Sequence, residues 1–361
     1  MRVGIDAREI QNGVYTGIGR PLANFLHYFA SLDNEDTCVL FSAQEIPIDF
    51  GPKVKKVVIP EKLTFYWDQW QLPEQLKKEG VEIFYSPYYK IPFLKPCRCV
   101  SSILDLMYLT FGPYYKRMPW WSKLYYATFG RAFAHRSDRV LTCSEYSQRD
   151  IQRIYGVKPE KIKLIPLSLG DIYRPESGAS PVKGRYLLYV GNFKIHKNVI
   201  NIIKAFALLE NEFPDLKLVL AGPREYEYNA LVAKVHDCHL DQKVIFLGKI
   251  TQEDKPHLLY SGAEVFVMPS LYEGFGLPPL EAMACGVPVV ASNTTSIPEV
   301  VKDAGLRVDP MDVKAIAEAI KRILKDHVLK QELIARGLRY AKEYEATKVS
   351  RMLYDFLKGL S

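Results

Sequence analysis

No apolar run in this 361-residue chain reaches the roughly 18 residues that a bilayer-spanning helix needs. The N-terminus, Met1-Arg2-Val3-Gly4-Ile5-Asp6, meets an acid before any signal-like apolar stretch, so no secretory leader is expected. Cysteine is sparse and scattered over positions 38, 97, 99, 143, 238 and 285, with only Cys97-Arg98-Cys99 closely spaced. That excludes a disulfide framework and a CxxC metal pair, and it points to a reducing, cytoplasmic setting. The net charge of +7 is mild and gives no dedicated basic stripe, so nucleic acid is not an expected partner. The chain has no Gly-x4-Gly-Lys-Ser/Thr, no Gly-x-Ser-x-Gly and no HExxH, which sets aside P-loop, serine-hydrolase and zincin chemistry. His236 and His239 lack a nearby third ligand, and no metal is expected.

What is present is globular: 48% hydrophobic and 25% charged, in a length that suggests two domains. Short apolar runs alternate with helix-length segments. Strands are predicted at 3–5, 38–41, 56–59, 83–85, 99–103 and 140–143. A second series is predicted at 186–190, 216–220, 244–247, 265–268 and 287–291. Continuous rather than alternating apolar runs describe strands buried on both faces. Helices are predicted at 21–30, 198–211, 226–238 and 314–325, with one or two more across 333–360. The βα alternation, run twice, predicts an α/β fold of two doubly wound parallel sheets. The expected divisions are 1–170, a turn-rich linker 171–183, 184–340, and a C-terminal helix 341–361 crossing back to the first domain.

Three loops carry candidate chemistry. The first follows the strand at 265–268 and contains Glu273-Gly274-Phe275-Gly276-Leu277-Pro278-Pro279-Leu280-Glu281. Two glycines let backbone amides approach a ligand, and the prolines suit a helix start whose positive end favours phosphate. Glu281 is expected in the first helical turn and Glu273 on the loop before it. Together they suit a polyhydroxylated, phosphorylated ligand; the plain alternative is a strand–turn–helix with solvated glutamates. The second loop is Gly191-Asn192-Phe193-Lys194-Ile195-His196-Lys197-Asn198, where Lys197 at a helix start suits a diphosphate. His196 is either an added donor or a solvated loop histidine. The third is Thr16-Gly17-Ile18-Gly19-Arg20-Pro21, a glycine loop that faces a ligand or merely opens a helix; it fails the dinucleotide fingerprint because Leu22 stands at the third glycine position.

Residues 114–136 hold five Lys/Arg, no acid and eight aromatics. Two arrangements satisfy that composition: aromatics packed into the core with the cations in water, or a helix lying on an anionic membrane.

The pattern of Glu273 and Glu281 within E-G-F-G-L-P-P-L-E resembles the E-x7-E signature of family-4 retaining glycosyltransferases. The likeness extends to Gly4-Ile-Asp-Ala-Arg8 with Thr16-Gly-Ile-Gly-Arg20, to Cys143–Asp150, to Lys161–Pro166, to Gly191-Asn192 with Lys197-Asn198, and to Ser296–Val300. It is similar above all to the bacterial mannosyltransferase-like branch that builds cell-surface polysaccharides. The resemblance implies a GT-B architecture, two Rossmann-like domains facing a central cleft. It implies transfer of a sugar, mannose from GDP-mannose first and UDP-sugars next, to a glycan or lipid-linked glycan such as lipopolysaccharide, without cofactor or metal. By the same resemblance Glu281 binds the ribose and Glu273 contacts the donor sugar beside the amides of Gly274, Phe275, Gly276 and Leu277. Lys197, with Gly191 and Asn192, meets the diphosphate, while Gly17 and Gly19 approach from the first domain. Two departures stand out. Leu104 replaces a histidine common among relatives, leaving Asp105 as the candidate catalytic group there, and Asn192 replaces an arginine. A sugar-nucleotide epimerase, an α-glucan phosphorylase and a non-catalytic nucleotide-sugar module remain the alternatives.

Overall fold

A computed structural model describes the chain except residues 12, 13, 16, 252 and 253, so Thr16 of the third loop lies outside the described residues. The strands are β1 (Arg2–Asp6), β2 (Ile10–Gln11), β3 (Val14–Tyr15), β4 (Thr37–Ser42), β5 (Val54–Val58), β6 (Ile83–Ser86), β7 (Arg98–Ser102), β8 (Arg139–Thr142) and β9 (Ile162–Leu164). They continue with β10 (Tyr186–Val190), β11 (Lys217–Ala221), β12 (Val244–Gly248), β13 (Val265–Met268), β14 (Val289–Ser292) and β15 (Gly305–Val308). One sheet has seven strands in the order β5-β4-β1-β6-β7-β8-β9, and the other has six in the order β12-β11-β10-β13-β14-β15. Both are parallel throughout, and the small β2–β3 pair is antiparallel. Strand order reverses between β1 and β6 and between β10 and β13, the places where open α/β sheets bind ligands at their carboxyl ends.

Contacts divide the chain into two units, Met1–Gly170 with Tyr344–Ser361, and Asp171–Glu343. Residues 171–183 fold onto the second unit: Tyr173 and Val182 are buried, and Ser180 shares a 2.8 Å hydrogen bond with the Tyr186 hydroxyl. In the first unit, the helix Gly19–Ser31 and the helix Ala346–Lys358 pack side by side over the sheet, with Phe25, Phe29, Leu353 and Leu357 in one core cluster. Asp36 fixes that closure. Its carboxylate accepts from the N-terminal ammonium at 2.7 Å and from Tyr354 and Lys358. These partners hold it well below the usual carboxylate range, although burial pulls the other way.

Residues 114–136 are not one helix. They run as Gly112–Arg117, Trp120–Tyr125, Tyr126–Gly130 and Arg131–Arg136, with Pro119 setting the break. Their aromatics divide: Phe133 is buried, while Trp120 and Trp121 are 75% and 61% exposed. Full packing of these rings into the core is therefore not what the chain does. No helix among the described residues is long and apolar enough to cross a membrane.

Candidate active site

β10 and β13 are hydrogen-bonded neighbours in the second sheet, so the loops that leave their carboxyl ends lie side by side. Leu271 N donates to His196 O at 2.7 Å, and Asn198 Nδ2 donates to Pro269 O at 3.0 Å and Pro310 O at 2.6 Å. Asn198 takes a left-handed backbone (φ 58°), which asparagine tolerates better than most residues, and so turns the chain into the helix Val199–Ala207. These ties bring together two residues 76 positions apart: Lys197 Nζ lies 2.7 and 2.9 Å from the Glu273 carboxylate oxygens. Both side chains are about one-tenth exposed, at 14% and 11%, so the pair is largely sheltered yet reachable.

The glycine loop is held from behind. Ser296 Oγ donates toward Glu273 O at 2.9 Å and Phe275 O at 2.8 Å, and Thr295 Oγ1 accepts from Glu273 N at 3.1 Å. Gly276 caps the helix Leu277–Ala284 with φ 120°; a Cβ there would meet Ile297 Cδ1 at 2.7 Å. Pro278 and Pro279 stand in the first turn as expected, and they remove two of the amide donors a helix start would otherwise offer. Gly191 has φ 155°, and a Cβ on it would strike the Tyr189 hydroxyl at 2.8 Å. Tyr189 is fully buried and donates to Asn192 O at 2.7 Å; burial and the charge of Glu273 push its pKa well up.

Two expectations change. Glu281 is the fifth residue of its helix, not in the first turn, and it is buried, accepting a 2.7 Å hydrogen bond on Oε2 from fully buried Tyr260. His196 is not a solvated loop residue: it is buried, and burial with adjacent Lys197 lowers its pKa to about 4. Ser296, which holds the Glu273 loop, lies in the Ser296–Val300 motif but was assigned no role there, and Tyr260, which holds Glu281, had no signal in the sequence.

In the first unit Gly17 sits in an exposed turn, with nothing within 4 Å of a Cβ built on it, and Gly19 begins the helix Gly19–Ser31. Asp105 Oδ1 accepts from Met107 N at 3.0 Å and so starts the short helix Met107–Thr110. Leu104 and Thr142 line a cavity of about 60 Å³ with Ser350 and Leu353, beneath the two packed helices. Among the described residues the buried Thr142 Oγ1 and Ser350 Oγ have no hydrogen-bond partner, and the space is roomy enough for water to serve them. The sequence reading missed a charge network at the end of β1. Arg8 makes a two-pronged contact with Asp6 (2.6 and 3.0 Å), reaches Asp68 at 2.7 Å and lies 3.8 Å over the Trp67 ring. Burial opposes the Arg8 charge, but Asp6 and Asp68 outweigh it and raise its pKa; burial raises Asp68 despite Arg8 and Lys90. Among the described residues no three His, Cys, Asp or Glu side chains gather to hold a metal.

Two Rossmann-like units, with a lysine–glutamate pair and a glycine loop at the carboxyl edge of the second sheet, define a transferase of the GT-B class. Residues 174–340 match the family described as glycosyl transferases group 1, and residues 15–168 match Glycosyltransferase Family 4. Over 277 residues the chain is 36% identical to O-antigen chain mannosyltransferase B of Escherichia coli, spanning 73% of this chain and 70% of that protein. Sucrose-phosphate synthase from Thermosynechococcus elongatus shares the fold, with a TM-score of 0.81 at 21% identity over 99% of this chain and 98% of that one. So does Anabaena HepE, solved in complex with UDP-glucose, with a TM-score of 0.76 at 16% identity over 99% of each chain. The chain belongs to family 4 of the glycosyltransferases, and it is a retaining glycosyltransferase.

Proposed function

We propose that the protein transfers mannose from GDP-mannose to a glycan or lipid-linked glycan during synthesis of a cell-surface polysaccharide. The observation that carries this reading is the sheltered Lys197–Glu273 pair beside the glycine loop. Breaking a sugar–diphosphate bond builds negative charge on the leaving oxygen and positive charge on the anomeric carbon. Lys197 meets the first, with the amides of Phe275, Gly276 and Leu277 and the Gly191–Asn192 turn alongside. Because Glu273 already holds the ammonium, Lys197 is oriented before the diphosphate arrives and shares its charge with it afterwards. Glu273 then contacts the donor sugar. Glu281, whose carboxylate Tyr260 orients, binds the ribose hydroxyls. In the first unit, Gly17 and Gly19 are assigned to donor binding and Asp105 to catalysis. No resident metal or cofactor is needed in this scheme. The choice of mannose and of a polysaccharide product is supported by the likeness to the E. coli O-antigen mannosyltransferase.

The protein works, on this reading, in the cytoplasm against the inner face of the plasma membrane, touching anionic lipid through residues 114–136. The exposed Trp120 and Trp121 beside Lys116, Arg117 and Lys123 support that contact. A thermal-shift screen of GDP- and UDP-sugars tests the donor. GDP-mannose at about 100 times its Kd is expected to add about 2.7 kcal/mol of stability and raise Tm by several degrees. A rise with UDP-sugars alone would move the donor to the UDP class, and no rise with any nucleotide sugar would overturn the reading.

A further inference from the structure

Residues 114–136 do not account for all the apolar surface of the first unit. Within that stretch Trp120, Trp121, Leu124 and Phe129 are 40–75% exposed. A second segment exposes Leu63, Phe65, Tyr66 and Trp70 by 51–70%, and Leu94 stands out at 82%. The three are physically joined. The Gln69 amide donates to Ile91 O at 3.2 Å and accepts from Phe93 N at 2.8 Å, fastening the second segment to residues 91–93. Phe93 in turn stacks on Phe133 at 4.7 Å and meets Phe129 edge-on at 6.3 Å, and exposed Leu94 follows it directly in the chain. Tyr66 and Trp70 stack at 5.9 Å, and Phe65 meets Trp70 at 5.8 Å, so the second group is a braced platform rather than loose side chains.

Glu61 and Asp68, on the second segment, both pair with Arg8. Residues 107–136 contain five Lys/Arg and no acid. Lys123 lies 4.5 Å over the Tyr115 ring, and Arg136 lies 5.7 Å from Phe93. Tyrosine and tryptophan flanked by cations suit the headgroup layer, where one end of each ring is apolar and the other wet. An exposed apolar patch of this extent marks an interaction site, and its cationic border fits an anionic partner.

We propose that Leu63–Trp70, Leu94 and Trp120–Phe129 form one composite face that enters the headgroup region of an anionic bilayer. The inference rests on the peripheral-membrane reading of residues 114–136 and enlarges it. The test is co-sedimentation of the full chain with phosphatidylcholine vesicles, with and without about one third phosphatidylglycerol. Tyr66→Ser with Trp70→Ser, and separately Leu94→Glu, are each expected to weaken partitioning onto the anionic vesicles by roughly tenfold, as is Trp120→Ser with Trp121→Ser. Loss only with the Trp120/Trp121 pair would overturn the composite face and leave the narrower contact standing. Wild-type protein that ignores the vesicles would overturn both. If the Tyr66/Trp70 pair instead abolishes self-association in sedimentation velocity, or saturation transfer to α-mannobiose, with vesicle binding intact, the face serves a second copy or a glycan and the proposal falls. All variants alter exposed side chains, and an unchanged Tm confirms that each is folded.

Discussion

Lys197 is held by the Glu273 carboxylate, and in the proposed scheme it meets the diphosphate. Lys197→Ala removes the one side chain placed to meet leaving-group charge in the proposed scheme. It is expected to lower kcat/KM by roughly 10²–10³, about 3–4 kcal/mol. Steady-state kinetics checks this, and a fall under about threefold would count against the role. Glu281 is different: it sits inside, bound to Tyr260. Glu281→Ala is expected to raise the donor KM more than it lowers kcat, and calorimetry should show weakened donor binding. It also strands the Tyr260 hydroxyl, at about 1–3 kcal/mol of stability, so Glu281→Gln is the control that keeps a polar partner. His196 gives a pH signature. A free imidazole titrates near 6.5, whereas buried His196 resists protonation down to about 4. Between those values the unfolded chain binds more protons than the native one. Stability present above pH 6.5 is therefore lost on acidification, by roughly 2 kcal/mol at pH 5. Denaturant titrations at pH 8 and pH 5 should show this loss in the wild type and a smaller one in His196→Gln; equal losses would mean the imidazole is not held neutral.

Among the elements, the C-terminal helix Ala346–Lys358 is the clearest case of tertiary fixing. Asp36→Ala leaves the buried N-terminal ammonium without its carboxylate and is expected to destabilise the first unit by about 3 kcal/mol. The depressed Asp36 pKa means that this stabilisation is present above about pH 4 and is lost as pH falls below it. Thermal unfolding of wild type and variant at pH 7 and pH 3 reads both effects, and a gap that does not narrow at pH 3 would refute the assignment to Asp36. Which elements were legible in the sequence follows from where they sit. Tyr186–Val190 and Val265–Met268 lie inside a sheet, buried on both faces, and their unbroken apolar runs give their limits to the residue. Four strands were missed: the two-residue Ile10–Gln11 and Val14–Tyr15 are too short to form a run, and Ile162–Leu164 and Gly305–Val308 are sheet edges carrying Lys163 and Arg307, with half their surface free to be polar. At the site the glycine loops were visible because their chemistry is local. The Lys197–Glu273 pair, the Tyr260–Glu281 bond and the Arg8–Asp68 contact were not, since each joins residues that only strand pairing and helix packing bring together.

At the scale of the whole molecule, the mild excess of positive charge matters by where it lies. The aromatic segments and their cations all belong to the first unit, while the donor loops with Lys197, Glu273 and Glu281 belong to the second. The proposed division of labour follows that split: the first unit carries the membrane face and Asp105, with Gly17 and Gly19 as its share of donor binding, and the second carries the main grip on the activated sugar.

The same division runs through the order of the chain. The second unit is one unbroken stretch, but the first is finished by residues 344–361, and Asn34 meets Tyr354 across 320 positions. During synthesis the opening stretch emerges before residues 344–361 have been made, so the side of Gly19–Ser31 that packs on Val349, Leu353 and Leu357 lacks its cover until they follow. The middle of the newborn polypeptide can therefore finish folding before its beginning does, reversing the usual order in which domains mature during synthesis.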